Sequence, residues 1–166
     1  MILTKDKILD EIKKKNIIVT PFSRKNVGPA SVDLTLDGKF RLFKKGLDVN
    51  VDERKDYKKI SSLRKTNELV LEPGDFALGI TKEEIKLSEN ICGWLGGRSR
   101  FARLGMLIHS TAAFVQPGVD NRQVLEIKNL SENRLILKAG IKICQMMFER
   151  TEGKARYKGK FNKQEL

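Results

Sequence analysis

Three stretches hold the side chains that could do chemistry. Gly97-Arg98-Ser99-Arg100-Phe101-Ala102-Arg103-Leu104-Gly105 puts three arginines and a serine within six positions, His109-Ser110-Thr111-Ala112 follows soon after, and Val124-Leu125-Glu126-Ile127 sets a single carboxylate in an apolar run. A guanidinium is a planar fork of donors that matches phosphate oxygens, so the arginine cluster with its hydroxyl reads as a phosphate grip. Gly96-Gly97 just before it lets the backbone approach a ligand closely. Strand alternation puts Leu125 and Ile127 on one face and Val124, Glu126 and Lys128 on the other. On an arbitrary strand such a glutamate is a solvated charge, and arginines on a basic protein are scattered surface cations. If the polar face lines a cleft near Ser99 and Arg103, however, Glu126 can take and return a proton.

Those side chains need elements to hold them. Ile8, Leu9 and Ile12 fall on one side at helical spacing, which predicts a short helix capped by Thr4 and running to about Lys15. From Ser31 the period changes to two. Val32-Leu34-Leu36, Leu47-Val49-Val51, Leu69-Leu71 and, after the Pro73-Gly74 turn, Phe76-Leu78-Ile80 read as strands. Further strands are expected over Ile91 to Leu95, Gly105 to Ile108, Gln123 to Lys128, Leu135 to Leu137 and Ile141 to Phe148. Many short strands without alternating helices predict an all-β barrel or sandwich. Asp52 to Asn67, rich in Lys, Asp and Ser, reads as a long surface loop. The basic, glycine-punctuated residues 152–166 cannot build a core and read as a tail on a single domain spanning 1–166.

Composition narrows the function. A chain of 166 residues with 40% hydrophobic content can bury a proper core. Its apolar runs fall short of the ~18 residues of a membrane span, and the start lacks the apolar core of a signal peptide, so a soluble, intracellular protein with no membrane partner is expected. Cys92 and Cys144 lie in apolar strand-like segments without Cys-x-x-Cys spacing and read as buried free thiols. One histidine leaves little for a protein zinc site. The net charge of +12 admits nucleic acid, a polyanionic small molecule or simply a basic surface as explanations. No internal repeat, Walker loop or Gly-x-Gly-x-x-Gly fingerprint is present.

The three stretches, taken with Pro117-Gly118, resemble the signature of the dCTP deaminases, a branch of the dUTPase-like superfamily. The similarity extends to Pro29-Ala30-Ser31-Val32-Asp33-Leu34, Leu71-Glu72-Pro73-Gly74 and the Lys160-Phe161-x-x-Gln164 end. The resemblance implies a distorted β-barrel of the dUTPase-like type, with a short N-terminal helix and a flexible C-terminal tail that closes over the nucleotide. It also implies a cytoplasmic homotrimer with active sites between subunits. The reaction implied is hydrolysis of dCTP to dUTP and ammonia without zinc, with Mg²⁺ carried on the triphosphate and dTTP as an inhibitor. Matched position by position, Glu126 is the general base, Ser99 and the Ala112 carbonyl hold the water, and Arg103 orients the carboxylate. Arg98, Ser99, Lys160 and Gln164 match triphosphate contacts, and Tyr157 matches a tail aromatic near the nucleotide.

This chain departs from the family pattern at several places. Gln116 stands where an aspartate precedes the Pro-Gly turn, Asp120-Asn121 replaces a small Ser-Gly pair, and Arg100 takes the place of a second serine among the phosphate contacts. A glutamine amide cannot take the proton of a water attacking phosphorus, so little diphosphatase activity is expected. Two competing readings are a dUTP diphosphatase or bifunctional enzyme making dUMP, against which Gln116 speaks, and a nucleic-acid-binding barrel. A simple binder has no use for a carboxylate opposite an Arg-Ser cluster, so no nucleic-acid partner is expected.

Overall fold

The period-two segments build one curled sheet, seen in a computed structural model that describes residues 1–54, 56–109 and 111–166. Lys55, in the expected surface loop, and Ser110, in the His-Ser-Thr-Ala stretch, lie outside the described residues. In chain order the elements are helix α1 (Lys5–Lys13), strands β1 (Ile17–Thr20), β2 (Val32–Phe43), β3 (Ser61–Lys65), β4 (Glu68–Leu71), β5 (Phe76–Leu87) and β6 (Ile91–Gly97), the one-turn helix α2 (Ser99–Ala102), and strands β7 (Met106–Ile108), β8 (Phe114–Val115), β9 (Asp120–Asn129), β10 (Leu135–Lys138) and β11 (Lys142–Arg150). The large sheet runs β7-β9-β5-β2-β11-β6-β8, with β1 added to β5 and β3 to β2, while β10 and β4 form a separate pair. The pairs are antiparallel, and strand twist together with the bulges in β2, β5 and β11 curls the sheet into an open barrel around a core shared by β2, β5, β9 and β11.

Alternation decides which side chains enter that core. Along β9 every second residue is buried, and Leu125 and Ile127 are fully enclosed while Val124, Glu126 and Lys128 face outward. Bulges break the register of β5 between Ile80 and Glu84 and of β2 between Leu36 and Phe40. Polar groups meet the needs of the broken ladder. Thr81 Oγ1 accepts from Gln123 N at 3.0 Å, Thr81 O accepts from Arg122 Nε at 2.6 Å, and the buried Glu83 carboxylate accepts from Thr35 N at 2.7 Å.

Helix α1 stops before Lys15 because that residue has φ of 60° and cannot continue a right-handed helix. The Thr4 hydroxyl bonds the Asp6 side chain instead of capping the backbone. Ile8 is buried as its spacing requires, and so is Glu11, whose carboxylate is met by Asn16 at 2.7 Å and Arg150 at 2.7 Å. That cluster ties α1 to β11.

Two sequence expectations are corrected. Leu47, Val49 and Val51 form no strand and are exposed, because no neighbour pairs with them and their alternation has nothing to cover. Conversely, the segment Asp52 to Asn67 is not all loop. It contains a 3-10 turn over Tyr57–Ile60 and β3, which pairs with β2 from Ser61↔Phe43 to Lys65↔Lys39. Strands β1 and β8 were also absent from the sequence reading. Among the described residues no helix is long and apolar enough to cross a membrane.

Candidate functional site

Glu126 sits in the middle of β9, opposite Leu78 of β5, at the wall of a cleft of about 410 Å³. Thr111 holds both carboxylate oxygens: its N–H donates to Oε2 at 3.0 Å and its hydroxyl to Oε1 at 2.6 Å. Each oxygen keeps a further lone-pair site for a water or a ligand proton. The loop that brings Thr111 there is bent by His109, whose N–H donates to the Glu126 carbonyl at 2.7 Å and whose φ of 56° is left-handed. His109 Nε2–H donates to the Ala112 carbonyl at 2.9 Å, while Nδ1 is buried without a partner among the described residues. His109 and Thr111 thus hold Glu126 at its backbone and at its carboxylate, and the Ala112 carbonyl expected to hold a water is engaged by His109.

The arginine cluster lies elsewhere on the same chain. Arg98 precedes α2 and is tied down by Asp33 of β2 at 3.2 Å and by the Lys142 carbonyl of β11 at 2.9 Å. Ser99, Arg100 and Arg103 follow on or just past the single turn of α2, and none of the four lines the Glu126 cleft. Among the described residues no arginine pairs with Glu126. The structure therefore does not bring Arg103 or Ser99 to Glu126 within one chain. It places the clamped carboxylate at the cleft and the arginines outside the cleft's lining.

The tail supplies a third group. Residues after Arg150 run past the Pro117-Gly118 turn, where Tyr157 N–H donates to the Pro117 carbonyl at 2.9 Å, and Tyr157, Phe161 and Gln164 line the cleft. Gln116 lines it as well, whereas Lys160 stays outside with its Nζ 5.9 Å from the Phe161 ring centre. Asp120 is at the surface, paired with Lys86 at 2.9 Å, and Asn121 beside it is buried. Burial pushes the thiols of Cys92 and Cys144 upward, so neither supplies a thiolate nucleophile near neutral pH. Among the described residues no three His, Cys, Asp or Glu side chains converge as a metal cage.

Sequence reasoning missed His109 and Thr111 as holders of Glu126, and Asn121 and Gln123 as polar cleft residues. For the last two a signal existed: amides at the core parity of an apolar strand.

The site is thus a clamped carboxylate in a cleft of an open antiparallel barrel, with a basic tail across it. A family model described as dCTP deaminase-like matches residues 2–151, and the chain belongs to that family. It is 34% identical over 160 residues to a "dCTP deaminase, dUMP-forming" from Pseudarthrobacter chlorophenolicus, covering 95% of this chain and 84% of the relative. It is 35% identical over 167 residues to a protein of the same name from Nanoarchaeum equitans, covering 90% of this chain and 84% of the relative. Among solved structures, 2'-deoxycytidine 5'-triphosphate deaminase from Agrobacterium tumefaciens superposes with a TM-score of 0.68 at 18% identity, covering 91% of this chain. The present chain spans about half the length of that protein, 48%. The superposition shows a shared fold, the distorted barrel expected of this family.

Proposed function

We propose that this protein hydrolyses the 4-amino group of dCTP, with Glu126 as the group that moves the protons. The observation that carries this reading is the Glu126 carboxylate, clamped on both oxygens by Thr111 at the wall of the cleft. Glu126 takes a proton from water as the water oxygen bonds to cytosine C4, and passes protons to N3 and then to the amine. The C4–N bond breaks, and ammonia leaves the uracil ring. Cys92 and Cys144 are both buried in strands and the chain has one histidine, a donor set that favours a zinc-free reaction. Magnesium enters as part of the substrate, a hard cation on phosphate oxygens.

The gap between Glu126 and the arginine cluster supports a site shared between copies of the chain, as expected for a homotrimer. In this reading a neighbouring copy supplies Arg98, Ser99 and Arg103 for the phosphates and for orienting Glu126, with Arg100 at the rim. The chain's own tail brings Lys160, Tyr157 and Gln164. Use of free deoxynucleotides is consistent with a cytoplasmic enzyme, and dTTP, which shares the sugar and triphosphate, would compete for the cleft.

For the product, the relatives' names support dUMP and revise the expectation of dUTP from Gln116: deamination is followed by hydrolysis of the α–β phosphate bond, releasing diphosphate. A second reading, in which the reaction stops at dUTP, is favoured by Gln116 at the cleft, because its amide cannot activate a water. Incubating the purified protein with dCTP and separately with dUTP, with EDTA and Mg²⁺ arms, and measuring ammonia, diphosphate and the nucleotide formed tests the reaction, its product and its metal dependence. Ammonia and dUMP support the first reading, ammonia with dUTP the second, and no ammonia from dCTP contradicts both.

A further inference from the structure

Three amides stand where the alternation of β9 calls for apolar side chains, Asn129 at its end and the neighbouring pair Asn121 and Gln123 at its start. Asn121 and Gln123 share the inward parity of Leu125 and Ile127 and are 5% and 3% exposed. Burying carboxamides is costly unless their polar atoms are matched, so the path of their hydrogen bonds is informative. Gln123 Nε2 donates to Asn121 Oδ1 at 2.7 Å, and Asn121 Nδ2 donates to the Phe161 carbonyl in the tail at 2.6 Å. The direction of this relay is set at its far end. A carbonyl only accepts, so Asn121 must turn its NH₂ to the tail, and its oxygen must then be satisfied from Gln123. Gln123 keeps the Asn121 amide from turning over.

The bond to Phe161 falls on the residue directly after Lys160, between two other anchors, Tyr157 N–H to the Pro117 carbonyl at 2.9 Å and Gln164 Nε2 to the Arg122 carbonyl at 3.2 Å. Of the three, it alone comes from a buried side chain of the barrel and is aimed at tail backbone. We propose that Asn121, oriented by Gln123, is a positioning residue: the catch that holds residues 157–164 across the cleft and thereby fixes where Lys160 is presented. The catch stands on geometry alone. Its effect on turnover rests on the dCTP reading above.

The test is hydrogen exchange of the full chain without nucleotide, read by mass spectrometry on tail peptides and on peptides from β5 and β11. Three variants are compared with the parent: Asn121→Asp, which keeps the shape without the donor, Asn121→Ala, and Gln123→Met, which keeps the length without the N–H. The expected result is exchange of the tail amides about three- to tenfold faster in each, the factor one net hydrogen bond commands, with β5 and β11 unchanged. KM for dCTP should rise by a similar factor while kcat moves less. Unchanged tail exchange in Asn121→Asp and Gln123→Met overturns the proposal. Faster exchange throughout β5 and β11 also overturns it, since the pair then serves the barrel and not the tail. Faster tail exchange in a protein that releases no ammonia from dCTP upholds the catch and removes the dCTP reading.

Discussion

Thr111 turns Glu126 from a strand carboxylate into an aimed one. Its hydroxyl bond is short at 2.6 Å and its N–H bond of 3.0 Å has the ordinary length, so the two together fix the carboxylate's orientation. Thr111→Val keeps the branched shape and the backbone N–H but loses the hydroxyl. We expect kcat for ammonia release to fall about 10- to 100-fold, with Tm close to the parent's, in a steady-state assay paired with thermal melting. The position of Glu126 was legible in the sequence because alternation between Leu125 and Ile127 leaves it no other face. The role of Thr111 was not. It depends on the left-handed backbone at His109, a non-glycine residue with φ of 56° that no periodicity announces. Gln116 was legible as a departure before the Pro117-Gly118 turn, and the structure puts it in the lining of the cleft.

The elements that carry these residues are held by a few decisive contacts. Gly105 closes the turn from α2 into β7 with φ of 80°, and a Cβ there would lie 2.6 Å from the Ser131 Cβ and 3.0 Å from the Ser131 nitrogen. Gly105→Ala therefore combines left-handed strain with overlap and should cost about 1–3 kcal/mol, measured by urea unfolding. Glu11 anchors α1 to β11. Burial pushes its pKa up, and the hydrogen bonds from Asn16 and Arg150 more than offset this, so the folded carboxyl titrates below its ordinary value. A depressed folded pKa gives stability that is present above the unfolded value of about 4.3 and is lost as pH falls through the folded one. Glu11→Gln should thus lose about 1–3 kcal/mol at pH 7, with the gap to the parent narrowing below about pH 4 in the same unfolding experiment. Strands β2, β9 and β11 were legible because each buries alternate side chains; β5 was legible as a strand, but its core face runs from Ala77 to Leu87 and leaves Phe76, read as part of the apolar face, 39% exposed. Strand β3 was hidden because only Ser61 of its five residues is buried, which leaves a sequence that reads as loop. Strand β8, two residues long, has no period to detect.

At the scale of the whole molecule, one chain carries the clamped Glu126 at its cleft and the arginine cluster outside the cleft's lining. The sequence could list both groups but not which of them share the cleft, since placement across a curled sheet is not written in local pattern. If neighbouring copies complete each other, two inactive variants should rescue one another. Glu126→Gln mixed with Arg98→Ala, unfolded and refolded together, should regain a fraction of parental ammonia release, while each alone stays inactive. No recovery in mixed assemblies, verified by mass, would place both halves at one chain's own site.

The central claim is that Glu126 moves the protons in hydrolysis of the cytosine amine. Ammonia release from dCTP by the parent and by Glu126→Gln, at equal folded concentration and saturating substrate, tests it most directly. The account predicts turnover by the parent and a loss of about 10²–10⁴-fold in the variant with nucleotide binding retained. Equal turnover by the two proteins, or none by the parent, would contradict it.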